Sequence, residues 1–233
     1  MPSAPIAIVT GHSRGLGAAV ADQLHGAGWQ VLGISRKARG APFEEWRADL
    51  ADPLPVAERL QTWLAGRTAA RVLLVNNAAL VTEPGPVQGV PLAALSGSVR
   101  VGLEAVLLLS AATLAGAQGC ADLRIVNVSS GLGRRPMAGA APYCAVKAGM
   151  DLLSRAMQLD GARVVSLAPG IIDTDMQQQL RAGQPSRFPD VERFREFKAR
   201  GALQSCADTA QRLIAHAQRD DFGNEALADL RSL

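Results

Sequence analysis

Aromatic side chains are scarce in this sequence: five Phe, three Trp and a single Tyr among 233 residues. Lysine is scarce too, with Lys37, Lys147 and Lys198 the only ones among 24 basic residues. Nucleic-acid-binding surfaces usually cluster Lys and Arg among aromatics. The dispersed arginines and the net charge of +3 therefore argue against nucleic acid as a partner. Cys120, Cys144 and Cys206 are odd in number and far apart, with no Cys-x-x-Cys spacing. Free thiols in a reducing cytoplasm are the expected state. No uninterrupted apolar run reaches the roughly 20 residues that cross a bilayer, so no membrane association is expected. A glycine-rich loop beginning near position ten leaves no room for a secretory leader before it. His12, His25 and His216 are too widely separated to suggest a metal site, and two of the three are expected at the surface.

What is present alternates. Short apolar runs at Ile6–Thr10, Val31–Ile34, Val72–Asn76, Arg124–Val128 and Arg163–Ala168 suit strands buried on both faces, and Glu45–Asp49 reads as a shorter one. Helical patterns fall between them, at Ala18–Leu24, Val56–Leu64, Ser98–Ala117 and Pro142–Leu159. This order predicts an α/β fold: one domain over 1–233, a doubly wound parallel sheet with helices on both faces. The helix from Ser98 is apolar all round, so a face not laid on the sheet needs a partner chain. A homodimer or homotetramer is expected. Past Pro169 the pattern is polar and irregular from Gln177 to Arg200, and about 175–205 reads as either a lid over a substrate or a plain surface loop.

Thr10-Gly11-His12-Ser13-Arg14-Gly15-Leu16-Gly17 joins the first strand to the first helix. Gly11 permits the turn, Gly15 lets a pyrophosphate reach the backbone, and Gly17 lets helix and strand close together. The helix start then offers N–H groups and the positive end of its dipole to phosphates. The second strand ends at Ser35-Arg36, with no carboxylate to bond a ribose 2′-hydroxyl. Ser35 and Arg36, with Arg14 from the loop, suit a 2′-phosphate instead, which points to NADPH/NADP+ as the cofactor.

Tyr143-x-x-x-Lys147 puts a phenol and an ammonium on one helix face. A phenol titrates near pH 10, about three units too high for acid–base work at neutrality, and a neighbouring cation lowers that value. Asn127-Val128-Ser129-Ser130 closes the preceding strand and offers a hydroxyl to a carbonyl oxygen. The glycine loop, Asp49-Leu50, Asn76-Asn77-Ala78, this serine segment, Tyr143-x-x-x-Lys147 and Pro169-Gly170-x-x-x-Thr174 together resemble the short-chain dehydrogenase/reductase family.

The resemblance implies a Rossmann-like fold and a set of roles. Asp49 and Leu50 would contact adenine, Asn77 and Ala78 the adenosine ribose, and Lys147 the nicotinamide ribose while lowering the Tyr143 pKa. Ser130 would orient a small-molecule carbonyl substrate and Tyr143 would donate the proton. Pro169, Ile172 and Thr174 would hold the nicotinamide end. The stretch Ala168–Gln177, with Ser35-Arg36 and Pro142-Tyr143-Cys144, is similar to the sepiapterin and benzil reductase branch, which implies reduction of a ketone or vicinal dicarbonyl. An NADP(H)-binding sensor and an NADP-dependent secondary-alcohol dehydrogenase are the alternatives.

Two positions depart from the family pattern. Gly102 stands where the long helix usually has Asn, and Ala79 where Gly usually follows Asn-Asn-Ala. Restoring the helix residue through Gly102→Asn is expected to leave activity unchanged or raise it. Arg134 and Arg135 read as a solvated loop or as a greeting for an anionic substrate. Phe188, Phe194 and Phe197 read as pocket lining or as anchors. For Asp229, near the C-terminus, the resemblance to sepiapterin reductases implies an acid that meets a pterin, on a match of only a few residues.

Overall fold

The computed structural model describes residues 3–232. Seven strands form one sheet: β1 (Ile6–Thr10), β2 (Gln30–Ser35), β3 (Glu44–Arg47), β4 (Val72–Asn76), β5 (Leu123–Val128), β6 (Val164–Ala168) and β7 (Leu227–Asp229). Their order is β3-β2-β1-β4-β5-β6-β7, and every neighbouring pair is parallel. Side chains alternate between faces along each strand. Ala7 and Val9 of β1 therefore meet α1 (Gly15–Gly26), while Ile6 and Ile8 meet α2 (Leu54–Ala65) on the other side. Fully burying a side chain such as Leu24 or Leu60 contributes about 1.5–3 kcal/mol, so two such layers hold the sheet.

The long helix begins at Leu92, earlier than its pattern suggested, and is interrupted. α3 (Leu92–Val99) passes through a π turn at Arg100–Glu104 into α4 (Ala105–Gly116). Gly102 lies inside that turn against α5 (Ala141–Leu159), where a Cβ would come 2.4 Å from Val146 Cγ1. This glycine lets the two helices pack closely, which argues against the expectation that Gly102→Asn leaves activity unchanged or raises it. The Leu92–Gly116 stretch is long and apolar enough to cross a membrane by length and composition. Its inner side, Ala105 and Leu109, is part of the core beneath the sheet. On the outer side Leu92 and Leu107 stay exposed, as do Leu152 and Leu159 of α5.

The region expected to be irregular holds two helices, α6 (Asp175–Arg181) and α7 (Val191–Ala199). Val191 and Phe194 recur at helical spacing and bury with Phe188 in their own cluster, against Met137, Leu180 and Phe197. Two later elements were not foreseen. α8 (Cys206–Gln218) packs beside α1, and β7 extends the sheet beyond β6.

Candidate active site

Parallel strands present all their carboxyl ends on one edge, and ligands bind there in open α/β sheets. Here the loops on that edge enclose a cleft of about 1650 Å³. Gly11, Ser13, Arg14, Gly15, Leu16, Ser35, Arg36, Asp49, Leu50, Asn77 and Ala78 line one half. Ser130, Tyr143, Lys147, Pro169, Ile172 and Thr174 line the other. The structure thus brings every residue expected at the cofactor or in catalysis to one cavity.

In the first half, Gly11 and Gly15 take φ of 69° and 59°, values that strain any residue with a Cβ. No side chain caps the first turn of α1, so its N–H groups stay free at the cleft wall, a donor set that fits a phosphate. The loop is braced from β4. Asn77 Nδ2 donates to the Thr10 carbonyl at 3.0 Å, and Thr10 Oγ1 accepts the Asn77 and Ala78 N–H groups at 2.9 and 3.0 Å.

His12 does not lie at the surface. It is fully buried, with Nε2 2.6 Å from Glu45 Oε1. Gly33 makes the room, since a Cβ there would fall 2.5 Å from the imidazole. Glu45 also accepts the backbone N–H groups of Arg39, Gly40 and Ala41 at 2.9–3.0 Å. Burial alone would raise its carboxyl, but the Arg39 N–H, His12 and the Ala41 N–H outweigh burial and hold it at about 2. Glycine inside a strand marks a close approach, and Gly33 was the one sequence signal of this brace.

At the end of β2, Ser35 Oγ donates to the Lys37 carbonyl at 2.7 Å and the exposed Arg36 faces the cleft. Arg14 is paired with Asp175 rather than free beside Arg36. Arg39, of the basic group Arg36-Lys37-x-Arg39, lines this end as well, and so does Arg47, which was not anticipated. Asp49 Oδ1 accepts the Ala51 N–H at 3.0 Å, and Leu50 is buried in the core under the sheet.

In the second half, Ser130 Oγ accepts the Leu132 N–H at 3.2 Å, which leaves its own proton free to donate. Tyr143 and Lys147 occupy successive turns of α5. Lys147 is almost fully buried, its Nζ 2.6 Å from the Val128 carbonyl and 5.6 Å from the Tyr143 ring centre. Burial lowers its pKa to about 8 against an opposing pull from Asp151. Burial likewise raises the Tyr143 phenol above its usual value, the Ser130 hydroxyl working against it and Cys144 adding to it. The expected lowering of Tyr143 by the ammonium is not seen. The ammonium is not among the causes acting on the phenol, and Lys147 Nζ donates to the Val128 carbonyl instead.

Beneath this group Asp151 accepts from Ser129 Oγ and Ser166 Oγ, both at 2.6 Å, and from Arg134 Nε at 2.9 Å. Arg134 lies exposed in its loop, as expected, yet its side chain is anchored on this buried carboxylate. A buried carboxylate needs such partners.

The fold and this site place the chain in the short-chain dehydrogenase/reductase family, to which it belongs: the short chain dehydrogenase family model matches residues 5–185. Members of this oxidoreductase family bind NAD(P)(H). Benzil reductase ((S)-benzoin forming) of Bacillus subtilis is 30% identical over 211 residues, covering 85% of this chain and 87% of that protein. Sepiapterin reductase of Mus musculus is 34% identical over 166 residues, 68% of this chain and 63% of that one. Among solved structures, a short-chain dehydrogenase/reductase from Burkholderia vietnamiensis is 34% identical, with a TM-score of 0.66 and both chains covered completely.

Proposed function

We propose that this protein reduces a ketone or vicinal dicarbonyl to the alcohol using NADPH, with Tyr143 as proton donor. The observation that carries the reading is the meeting of Tyr143, Ser130 and Lys147 in the same cleft that holds the glycine loop. The reduced dinucleotide, when bound, supplies the hydride. The chain's own residues handle the oxygen. Ser130 Oγ donates a hydrogen bond to the carbonyl, and Tyr143 Oη gives its proton to the developing alkoxide. Lys147 provides the positive charge beside them.

Arg36, with no acid at the end of β2, supports NADPH over NADH. Names of the relatives support the dicarbonyl class, benzil and sepiapterin both being carbonyl compounds. A second copy of the chain covers Leu107, Leu152 and Leu159 in a homodimer or homotetramer; equilibrium sedimentation at a monomer mass would reject that. The activity is tested by loss of NADPH absorbance with a panel of 1,2-diketones. Tight NADPH binding without turnover on any carbonyl would make the protein a sensor and not a reductase.

A further inference from the structure

After Ser130 the chain turns tightly through Gly131–Gly133. Two guanidinium tips converge on that turn. A Cβ on Gly131 would lie 3.6 Å from Arg135 Nη2 and 3.8 Å from Arg231 Nη2. Both arginines line the cleft. Cations brought this close repel one another unless anions compensate them.

Arg231 has its anion. Its Nε and Nη2 donate to the two oxygens of Asp229 at 2.9 and 2.5 Å, and its backbone N–H adds a bond at 3.0 Å. The fork holds Asp229 below the usual carboxylate range and fixes the arginine in place. Arg134, itself anchored on buried Asp151, adds positive charge behind Asp229. Arg135 has no carboxylate within ion-pair distance among the described residues. The other acids of this half do not offset it. Asp173 is taken by Lys198 at 2.6 Å and Asp175 by Arg14, while Asp190 stands at the start of α7 with Arg193 one turn on.

The site next to Ser130 therefore offers donors and positive charge, not a free carboxylate. Asp229 is not among the residues that line the cleft, and both its oxygens already accept from Arg231. Guanidinium groups recognise planar carboxylates through paired N–H bonds. Met137, Phe194 and Phe197 supply apolar lining to the same cleft. We propose that the substrate is an apolar ketone bearing a carboxylate beside the reducible carbonyl, with Arg135 and Arg231 receiving that carboxylate. This rests on the carbonyl-reductase reading above and narrows it.

Phenylglyoxylate and 1-phenyl-1,2-propanedione share a benzoyl carbonyl and differ in carboxylate against acetyl, so they form a matched pair. Arg135→Gln removes one charge at an exposed position, which leaves the fold intact. With NADPH, the variant should raise KM for phenylglyoxylate about tenfold more than for the dione, kcat for phenylglyoxylate moving less than about threefold. A second measurement does not need turnover. Calorimetric titration of mandelate into the NADP+-loaded protein should show binding that weakens about tenfold in Arg135→Gln. Equal KM changes on both ketones would overturn the carboxylate site, as would mandelate that fails to bind or binds the variant equally well. If neither ketone turns over while mandelate binds through Arg135, the reductase reading falls and the anion site stands.

Discussion

In the half of the cleft formed by β1, β2 and β4, positions are fixed mainly by hydrogen bonds to the backbone. Asn77 and Thr10 bind the glycine loop, and Glu45 gathers three successive N–H groups at Arg39–Ala41. In the half formed by β5–β7, the fixing bonds run largely between side chains, through Ser129, Asp151, Arg134, Asp229 and Arg231. A backbone-braced loop can only accept what its main chain is shaped for. A side-chain network can be re-cut by substitution without moving a strand. The cofactor end is accordingly the constrained part of this molecule and the substrate end the adjustable one.

The largest test of that contrast is Tyr143→Phe. Losing the proton donor should lower turnover about 10³-fold while NADPH affinity changes less than about twofold, read by kinetics and fluorescence titration. A loss under tenfold would show that the second half does not contain the acid. Next in size, Gly102→Asn forces a side chain into Val146, directly before Lys147. Overpacking of this kind costs about 2 kcal/mol, or roughly 4–8 °C in melting temperature, with turnover falling alongside. Val146→Ala in the same chain should recover most of both; no recovery would place the fault in the π turn itself.

On the cofactor side, Arg36→Ala should weaken NADPH about tenfold and NADH less than twofold, since only NADPH carries the extra phosphate. Equal losses would remove Arg36 from the phosphate site. The smallest effect concerns pH. Burial sets the Lys147 pKa near 8, so its charge is lost as pH rises through about 8, and the rate of reduction should decline there. In the same shift the folded chain binds fewer protons than the unfolded one between about 8 and 10.5. Stability should therefore gain with pH in that window, and Lys147→Met should abolish the gain in thermal melts.

Much of the constrained half was legible in the sequence because its requirements are written locally. Strands buried on both faces appear as unbroken apolar runs, and Gly11 and Gly15 sit where the backbone needs positive φ. In the other half, Tyr143 and Lys147 were as plain, sharing a helix face through simple spacing. The adjustable half was less legible for the opposite reason. Arg134 meets Asp151 and Ser129 meets the same carboxylate only after the chain has folded, and no local pattern announces such pairs. β7 is three half-buried residues, too short to show an alternation. α7 could have been read from Val191, Phe194 and Phe197, whose spacing is helical, but its charged outer face hid it. His12 and Glu45 form a brace across 33 positions, hinted at by Gly33 alone.

The lone phenol has a practical corollary. Because Tyr143 is the only tyrosine in the chain, a near-ultraviolet tyrosinate signal, read as a difference over the constant absorbance of the three Trp, comes from that one residue with no isotopic label. A spectrophotometric titration of the unmodified protein can follow the ionisation of that one hydroxyl directly, and repeating it with each ligand reports how the cleft retunes its acid.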